Sequence, residues 1–522
     1  MLETGMRNQE NAAAAAGLSG SGKVFWNLAG PTLYERAIAR GEARLSATGA
    51  LVVESGTASG AAPLTRHRVG EPAEASEGAA PEGTASEGTA LLGRAAFDVL
   101  RDDMLAHASG RTLFAQDLHV AIAPGRIRRL RVFTEHAWHA LAIRNLMQAS
   151  ERESIGSFVP DVTLFCLPAF RPDADRHGIA GPGLIAEDTE AGLLLVTGTL
   201  DLGHVEQALV AHVGDVLAGD VLAGAGALTL SGAAALDAEG GLTLFLGPAD
   251  SGKSALAGTL TADPRFVLIA DGPLGWSRDG VFGLFVGRRR RIHTLDARGG
   301  FGTILENVPL DADSREPDLS AAPAARAVLP GVEPGRAGAP RTLFLVSCDG
   351  FGVLPAIARL SPEQAVYHLL SGYTAPAEDG APRARFAPDR HPAPGAHLLR
   401  ELIADGDTVC WLVNTGWSGG QAGRGARIPS EASHILVAAA LDGSLAAGAF
   451  RPDPHFGFEV PVEVEGVEAK LLDPVGAWAN RRDHAVAAKR LVGMFAENFA
   501  RFEAEVDPEV REAQPRMAIA AE

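Results

Sequence analysis

Along this chain the spacing of apolar residues changes from run-like to helical and back, and each change predicts an element. "GLTLFL", ending at Leu246, is an unbroken apolar run of strand length, and "SALAGTL" from Ser254 predicts a helix that opens directly after a glycine-bearing loop. "FVLIADG" predicts a further apolar strand ending at Asp271. Near the C-terminus, "RRDHAVAAKRLVGMFAENFARFEAEV" predicts a helix on which Val486, Leu491, Met494, Phe495 and Phe499 approximate one apolar face, with a polar tail after Pro508. "HAWH", with His136 and His139, predicts a packed helix turn in preference to a metal pair, since no carboxylate recurs at ligand spacing.

Composition narrows the picture. A chain of 522 residues exceeds one ordinary domain and suits two, and the alternation of strand and helix signals predicts a mixed α/β (α+β) architecture. A formal charge of −18 argues against a nucleic-acid partner. The longest weakly polar run, "VLAGAGALTLSGAAAL" from Val221, is shorter than the ~20 residues a membrane span needs, so no membrane association is expected. Cys166, Cys348 and Cys410 lie far apart, without metal spacing or an even-numbered disulfide framework, and no secretory leader is evident, which together suit a cytoplasmic protein.

Two segments spell a phosphate-gripping loop. Gly17 to Lys23 follows an alanine-rich polar stretch and precedes Val24, which has no hydroxyl for a metal, so a flexible linker is the expectation. Gly247-Pro-Ala-Asp250-Ser251-Gly252-Lys253-Ser254 stands between a strand and a helix, where backbone N–H groups can close around phosphates, Lys253 can reach the terminal ones and Ser254 can ligate Mg²⁺. Pro248 removes one N–H donor. Asp271 stands where a second metal-positioning carboxylate would.

Beyond these loops, "FGTILENVPLDADSREPD", "DGFGVLPAIARLSPEQAVYHLLSGYTA", "CWLVNTGWSGG" and "AALDGSL" occur in order, after "VFTEHAWHALAIRNL" and "KVFWNLAGPTLYERAIARGEARLSATGALVVESG". From about Lys23 to Leu445 the chain resembles the ATP-dependent phosphoenolpyruvate carboxykinases, as a divergent member. That resemblance implies a two-domain fold with the site in a cleft, and conversion of oxaloacetate and ATP to phosphoenolpyruvate, ADP and CO₂ with Mg²⁺ and Mn²⁺. It places the family's phosphate loop on Gly247 to Ser254. Lys253, Ser254 and Asp271 match family positions, Arg291 stands where a phosphate-contacting Lys is usual, and Arg326 matches a further active-site Arg across a gap. Arg427, with Ser433 in place of a usual Thr, matches the segment that contacts adenosine.

The same comparison implies losses. Ala61 stands at the family's carboxylate-gripping Arg, and a methyl group cannot replace that charge-assisted contact. Glu206 and Gln207 stand at a Lys pair, Ser231 at a His and Gly272 at an acid, so the Mn²⁺ ligands are changed. Arg66 or Arg68 could substitute for the clamp, and Glu206, Asp271 and His204 could form a different divalent site, although a solvent-facing turn is the plainer expectation there. An acidic Gly/Ala/Ser-rich insertion over 70–92 follows the lost clamp and suits a tether, a protein-partner segment or an unselected loop. The "GRRRRIHTLD" run is expected as a twisted edge strand with alternate arginines in solvent and only Arg291 turned toward phosphate. "GWSGG" around Ser418 lacks the strand-to-helix elbow of a nucleophile.

The expected organisation is a disordered tail over 1–22, an N-terminal domain over 23–213 and a C-terminal nucleotide-binding domain over 214–522, in which "AAPAARAVLPGVEPGRAGAP" is a loop. Three functions fit: an ATP- and Mg²⁺-binding relative that has lost the decarboxylating reaction and regulates or scaffolds, a phosphotransferase for another acceptor, or an active carboxykinase with rearranged ligands.

Overall fold

Strands Leu242–Leu246, Pro340–Ser347 and Val409–Asn414 run side by side in parallel and are almost wholly apolar, because both of their faces are covered. Their side chains divide alternately between two cores, as the two-residue period of a strand requires. Leu244, Leu343, Leu345 and Leu412 pack with helices Pro362–Ser371, Ala393–Asp405 and Arg481–Phe499. Phe245, Phe344, Trp411 and Val413 pack on the opposite face with helices Lys253–Leu260 and Ser430–Leu441.

The structure, a computed structural model, describes residues 1–56, 64–70, 89–123, 125–179, 181–222, 226–248, 251–292, 300–322, 325–331, 335–371, 373–374, 383–384, 393–500 and 502–515. It is a mixed α/β fold in two units, each made of two chain segments: Met1–Val216 with Leu284–Pro334, and Leu217–Gly283 with Gly335–Glu522. The single block expected over 214–522 is therefore interrupted. Residues 284–334 return to the first unit because Ile304–Glu306 pairs in parallel with Leu51–Val53, and Arg326–Leu329 and Arg288–Arg291 extend that five-stranded sheet.

The larger sheet of the first unit runs from Leu2–Gly5 through Lys23–Trp26, Thr112–Ala123, Arg126–Thr134 and Val162–Leu167 to Leu193–Thr197, Leu184–Asp188, Thr65–Val69 and Thr89–Leu92. Helix Arg94–Ser109 buries Phe97, Leu100, Met104 and Ala108, spaced to form one stripe. The second unit holds a ten-stranded sheet around the parallel core.

Several expectations are corrected. Residues 1–22 are not a tail: Leu2–Gly5 pairs with Lys23–Trp26, Glu3 Oε2 accepts from Trp26 Nε1 at 2.8 Å, and Ala13 and Leu18 enter the core. The Gly17 to Lys23 segment is built into the fold, with the Gly22 and Lys23 amides donating to the Ser109 and Arg111 carbonyls at 2.9 and 3.0 Å. A Cβ at Gly22 would lie 2.4 Å from Arg111 O, so this glycine serves close backbone approach. Part of the expected loop over 321–340 forms strands Arg326–Leu329 and Arg336–Ala337. Thr89–Leu92, the end of the acidic insertion, is a strand paired with Thr65–Val69, while 71–88 lie outside the described residues. The tail after Pro508 opens with helix Pro508–Glu512, whose Val510 is buried. On helix Arg481–Phe499 the packed face is Ala488, Leu491, Val492, Phe495 and Phe499, and Val486 is 62% exposed.

His139 packs as expected. It is fully buried, its Nε2 donates to Leu200 O at 2.9 Å, and burial drives its pKa down to about 3. Its Nδ1 faces Cys166 Sγ at 3.7 Å, a thiol that burial pushes up to about 12 and so keeps protonated. Among the described residues no helix is long and apolar enough to cross a membrane.

Candidate functional site

The parallel strands of the second unit end together, and loops at the carboxyl ends of such strands are where open α/β sheets bind ligands. The glycine-bearing loop follows Leu242–Leu246 there and opens helix Lys253–Leu260. Gly247 has no room for a side chain, since a Cβ would meet Val346 O at 2.5 Å and Ser251 Oγ at 2.6 Å. Gly252 caps the helix at φ +95°, a left-handed conformation that costs glycine nothing. Lys253 is buried and its Nζ donates to Pro248 O at 3.0 Å. Ser254 Oγ donates to Asp271 Oδ1 at 2.6 Å, joining two positions 17 apart in the chain. Asp250 lies outside the described residues.

This donor set fits a metal–nucleotide. A hydroxyl and a carboxylate already in contact are hard oxygen donors of the kind Mg²⁺ takes, and a helix N-terminus with an adjacent ammonium suits phosphate. Ser251 Oγ is buried with no hydrogen-bond partner among the described residues, a polar atom left over inside the loop. Trp417–Ser418 pairs with Ala426–Arg427, so Ser418 lies in a short hairpin. Arg427 is exposed, its guanidinium carbon 5.5 Å from the Trp417 ring centre, and its Nε donates to Thr415 O at 3.3 Å. Ser433 is buried on helix Ser430–Leu441.

The positions matched to Mn²⁺ ligands are placed as follows. Gly232 pairs with Gly272 and Ser231 with Pro273 on neighbouring strands. Gly272 sits at φ +139° with open space where a side chain would be. Gln207, in the first unit, is exposed on helix Leu202–Leu222. Among the described residues no group of three or more His, Cys, Asp or Glu could hold a metal. Ala61 lies outside the described residues.

Arg291 and Arg326 lie in the first unit, as cross-strand partners. The strand lies at a sheet edge as expected, and among its other arginines Arg289 is turned inward, only 6% exposed. Its Nε and Nη2 donate to the two oxygens of Glu306 at 2.6 and 2.9 Å, Nη2 also reaches Asp201 Oδ1 at 2.7 Å, and Nη1 reaches Glu206 Oε2 at 3.3 Å. Glu206 is thus on a helix and not on a solvent-facing turn. His204 Nδ1 instead pairs with Thr199 Oγ1 at 2.9 Å. Burial raises the Glu206 pKa from 4.5 to about 7, against the pull of Arg289.

The pH consequence has a definite sign. Between pH 4.5 and about 7 the folded chain keeps a proton on Glu206 that the unfolded chain has released, so this group's contribution falls as pH rises through that window. Glu206→Gln is expected to raise the melting temperature relative to wild type at pH 8, by an amount equivalent to about 1–3 kcal/mol, and to change little at pH 5. Thermal unfolding across that range checks it. Equal shifts at both pH values would exclude Glu206 as the titrating group.

The proposed substitute clamp is also engaged. Arg66 is buried, with Nη2 on Glu187 Oε2 at 2.9 Å and on Asp215 Oδ2 at 3.6 Å. Arg68 pairs closely with Asp215, and His212 Nδ1 lies 2.8 Å from Glu187 Oε1. Guanidiniums held this way inside the unit do not offer a free fork to a substrate carboxylate.

Sequence reasoning passed over Asp201, Glu306, Thr415 and Asp349. Thr415 lies within the quoted "LVNTGWSGG" block, yet only the contacts distinguish it, with Oγ1 on Ser251 O at 2.7 Å. Asp349, fully buried, accepts from the Phe351, Val353 and Leu354 amides at 2.7, 2.7 and 2.8 Å and shapes the adjoining loop.

The comparisons with known proteins agree with this architecture. The family profile for phosphoenolpyruvate carboxykinase matches residues 22–470. The chain is 40% identical to phosphoenolpyruvate carboxykinase (ATP) of Azorhizobium caulinodans, and 40% to that of Methylobacterium nodulans, in each case over 100% of both chains. The Rhodopseudomonas palustris protein of the same name is 39% identical, again over both whole chains. With a matched profile across most of its length and full-length relatives at this identity, the chain belongs to the phosphoenolpyruvate carboxykinase family.

Proposed function

We propose that this protein binds ATP with Mg²⁺ through the loop at Gly247 to Ser254 and does not carry out the ordinary conversion of oxaloacetate to phosphoenolpyruvate, acting as a nucleotide-binding regulator or scaffold. The observation that carries this reading is an asymmetry within strand Phe266–Ser277: Asp271 is hydrogen-bonded to Ser254, while the next position, Gly272, has no side chain and pairs with Gly232, another residue without one. Ser254 and Asp271 would hold Mg²⁺, Lys253 would leave Pro248 O for the terminal phosphates, and Arg427 and Ser433 would lie on the adenosine side. Bound Mg²⁺ supplies charge neutralisation to the phosphates. Losing one positioned electrostatic group from an active site commonly costs ~10²–10³ in rate, and here a substrate clamp and metal ligands are replaced together. Arg291 and Arg326 are assigned to phosphate on family correspondence.

A second reading, an active carboxykinase with rearranged ligands, is favoured by the full-length match to phosphoenolpyruvate carboxykinase (ATP) relatives. One experiment separates them. Phosphoenolpyruvate formation from oxaloacetate and ATP with Mg²⁺ and Mn²⁺ is measured beside ATP binding by calorimetry, with Lys253→Ala in both. The expected result is ATP binding that Lys253→Ala weakens at least ~100-fold, with no product. Lys253-dependent product would overturn the proposal in favour of the active enzyme. ATP hydrolysis without oxaloacetate would point instead to another phosphoryl acceptor.

A further inference from the structure

Thr415 touches three parts of the second unit at once. Its Oγ1 donates to Ser251 O in the phosphate loop at 2.7 Å and lies 3.2 Å from Ser347 O, at the end of the neighbouring strand. Its amide donates to the same Ser347 carbonyl at 2.8 Å, and its own carbonyl accepts from Arg427 Nε at 3.3 Å. Its Cγ2 closes over Gly252, 3.3 Å from where a Cβ would be. We infer that Thr415 is a positioning residue for polyphosphate binding, fixing the backbone of the loop and linking it to Arg427. The inference rests on the nucleotide-binding reading proposed above.

The physical reason lies in the peptide unit. In a trans peptide the carbonyl and the following N–H share a plane and point in opposite directions. Anchoring Ser251 O on Thr415 therefore turns the Gly252 N–H away from Thr415 and holds it there, at the first turn of helix Lys253–Leu260. Gly252, at φ +95°, is a glycine with wide backbone freedom, so an outside restraint has much to do at this peptide. Threonine suits the task in both halves: the hydroxyl holds the carbonyl, and the β-branch limits χ1 so that the methyl stays over Gly252. An anion-binding loop works by presenting amides already oriented, and a restraint on their plane bears on phosphate affinity more than on fold.

The test uses the full chain with two variants, Thr415→Val and Thr415→Ser, and two probes, MgATP and magnesium tripolyphosphate, by calorimetry. Hydrogen exchange of the loop amides is followed in the nucleotide-free protein. Thr415→Val is expected to weaken both probes about 10-fold and to accelerate exchange at Gly252 and Lys253, and Thr415→Ser to stay within about 3-fold of wild type in affinity. Unchanged loop exchange in Thr415→Val would overturn the positioning role whatever the affinities. Loss of ATP affinity with intact tripolyphosphate affinity would overturn it as well, placing the effect on Arg427 and adenosine. If wild type binds neither probe, the nucleotide proposal fails on its own, and the exchange rates still decide whether Thr415 holds the loop.

Discussion

Arg289→Met is expected to destabilise the first unit by about 3–5 kcal/mol, because it removes the one guanidinium that Asp201, Glu206 and Glu306 share. Glu306 is fully buried and takes two of the hydrogen bonds, so methionine would leave a carboxylate with its strongest donors gone and no water to replace them. The loss should grow with pH. Without Arg289 the folded state binds a proton more tightly at Glu206, and ionising it at pH 8 costs more than at pH 5. Calorimetric unfolding would show the transition of this unit falling by about 10 °C at pH 8 and by less at pH 5. The double variant Arg289→Met with Glu206→Gln should recover part of the loss, since it removes one of the stranded charges. A fall of under 2 °C at both pH values would mean that the cluster contributes little to stability.

Asp349→Ala carries the second large effect, of about 3–5 kcal/mol on the second unit. Three backbone amides, those of Phe351, Val353 and Leu354, converge on one buried carboxylate, and alanine leaves all three without an acceptor. Burial raises the pKa of Asp349 while those amides oppose the shift. Asp349→Asn keeps one acceptor oxygen and should lose about half as much. The carbonyl of Asp349 accepts from the Trp417 amide at 2.9 Å and its amide donates to Asn414 Oδ1 at 3.1 Å, so the alanine variant should also weaken ATP binding through the Asn414–Trp417 segment. Urea unfolding of the two variants beside wild type checks the order Ala, Asn, wild type. An alanine variant as stable as the asparagine one would show that the amides find other acceptors.

How much of this was legible beforehand differs by element. Strand Leu242–Leu246 and helix Lys253–Leu260 stood out because an apolar run, a glycine turn and a helix-forming stretch follow one another within about twenty residues, and local forces alone specify that order. Ser254 and Asp271 belong to one strand–loop–helix–strand passage, although the strand expected to end at Asp271 runs on to Ser277. Val486 was placed on the wrong face because helical spacing alone does not say where the neighbouring sheet lies, and the packed stripe is rotated toward Ala488 and Val492. The first 22 residues were misjudged because their order comes from pairing with Lys23–Trp26 and packing on helix Arg94–Ser109, partners that no local pattern announces.

Arg289 shows the boundary most clearly. Four consecutive arginines in an acidic chain look like a solvated strand, and nothing within that run distinguishes the second from its neighbours. Only the pairing of Arg288–Arg291 with Arg326–Leu329, and of that strand with Ile304–Glu306, brings carboxylates from positions 201, 206 and 306 around one guanidinium. Thr415 and Ser251 are likewise 164 positions apart and meet because parallel strands end together. By itself, then, the sequence determined the family and the strand–loop–helix that carries Gly247 to Ser254, since each of these is written in consecutive residues. The tertiary structure alone decided which chain segments make each unit, which arginines are engaged by buried carboxylates, and that Thr415 restrains the loop, because these depend on contacts whose partners are distant in sequence and are selected only when the sheets assemble.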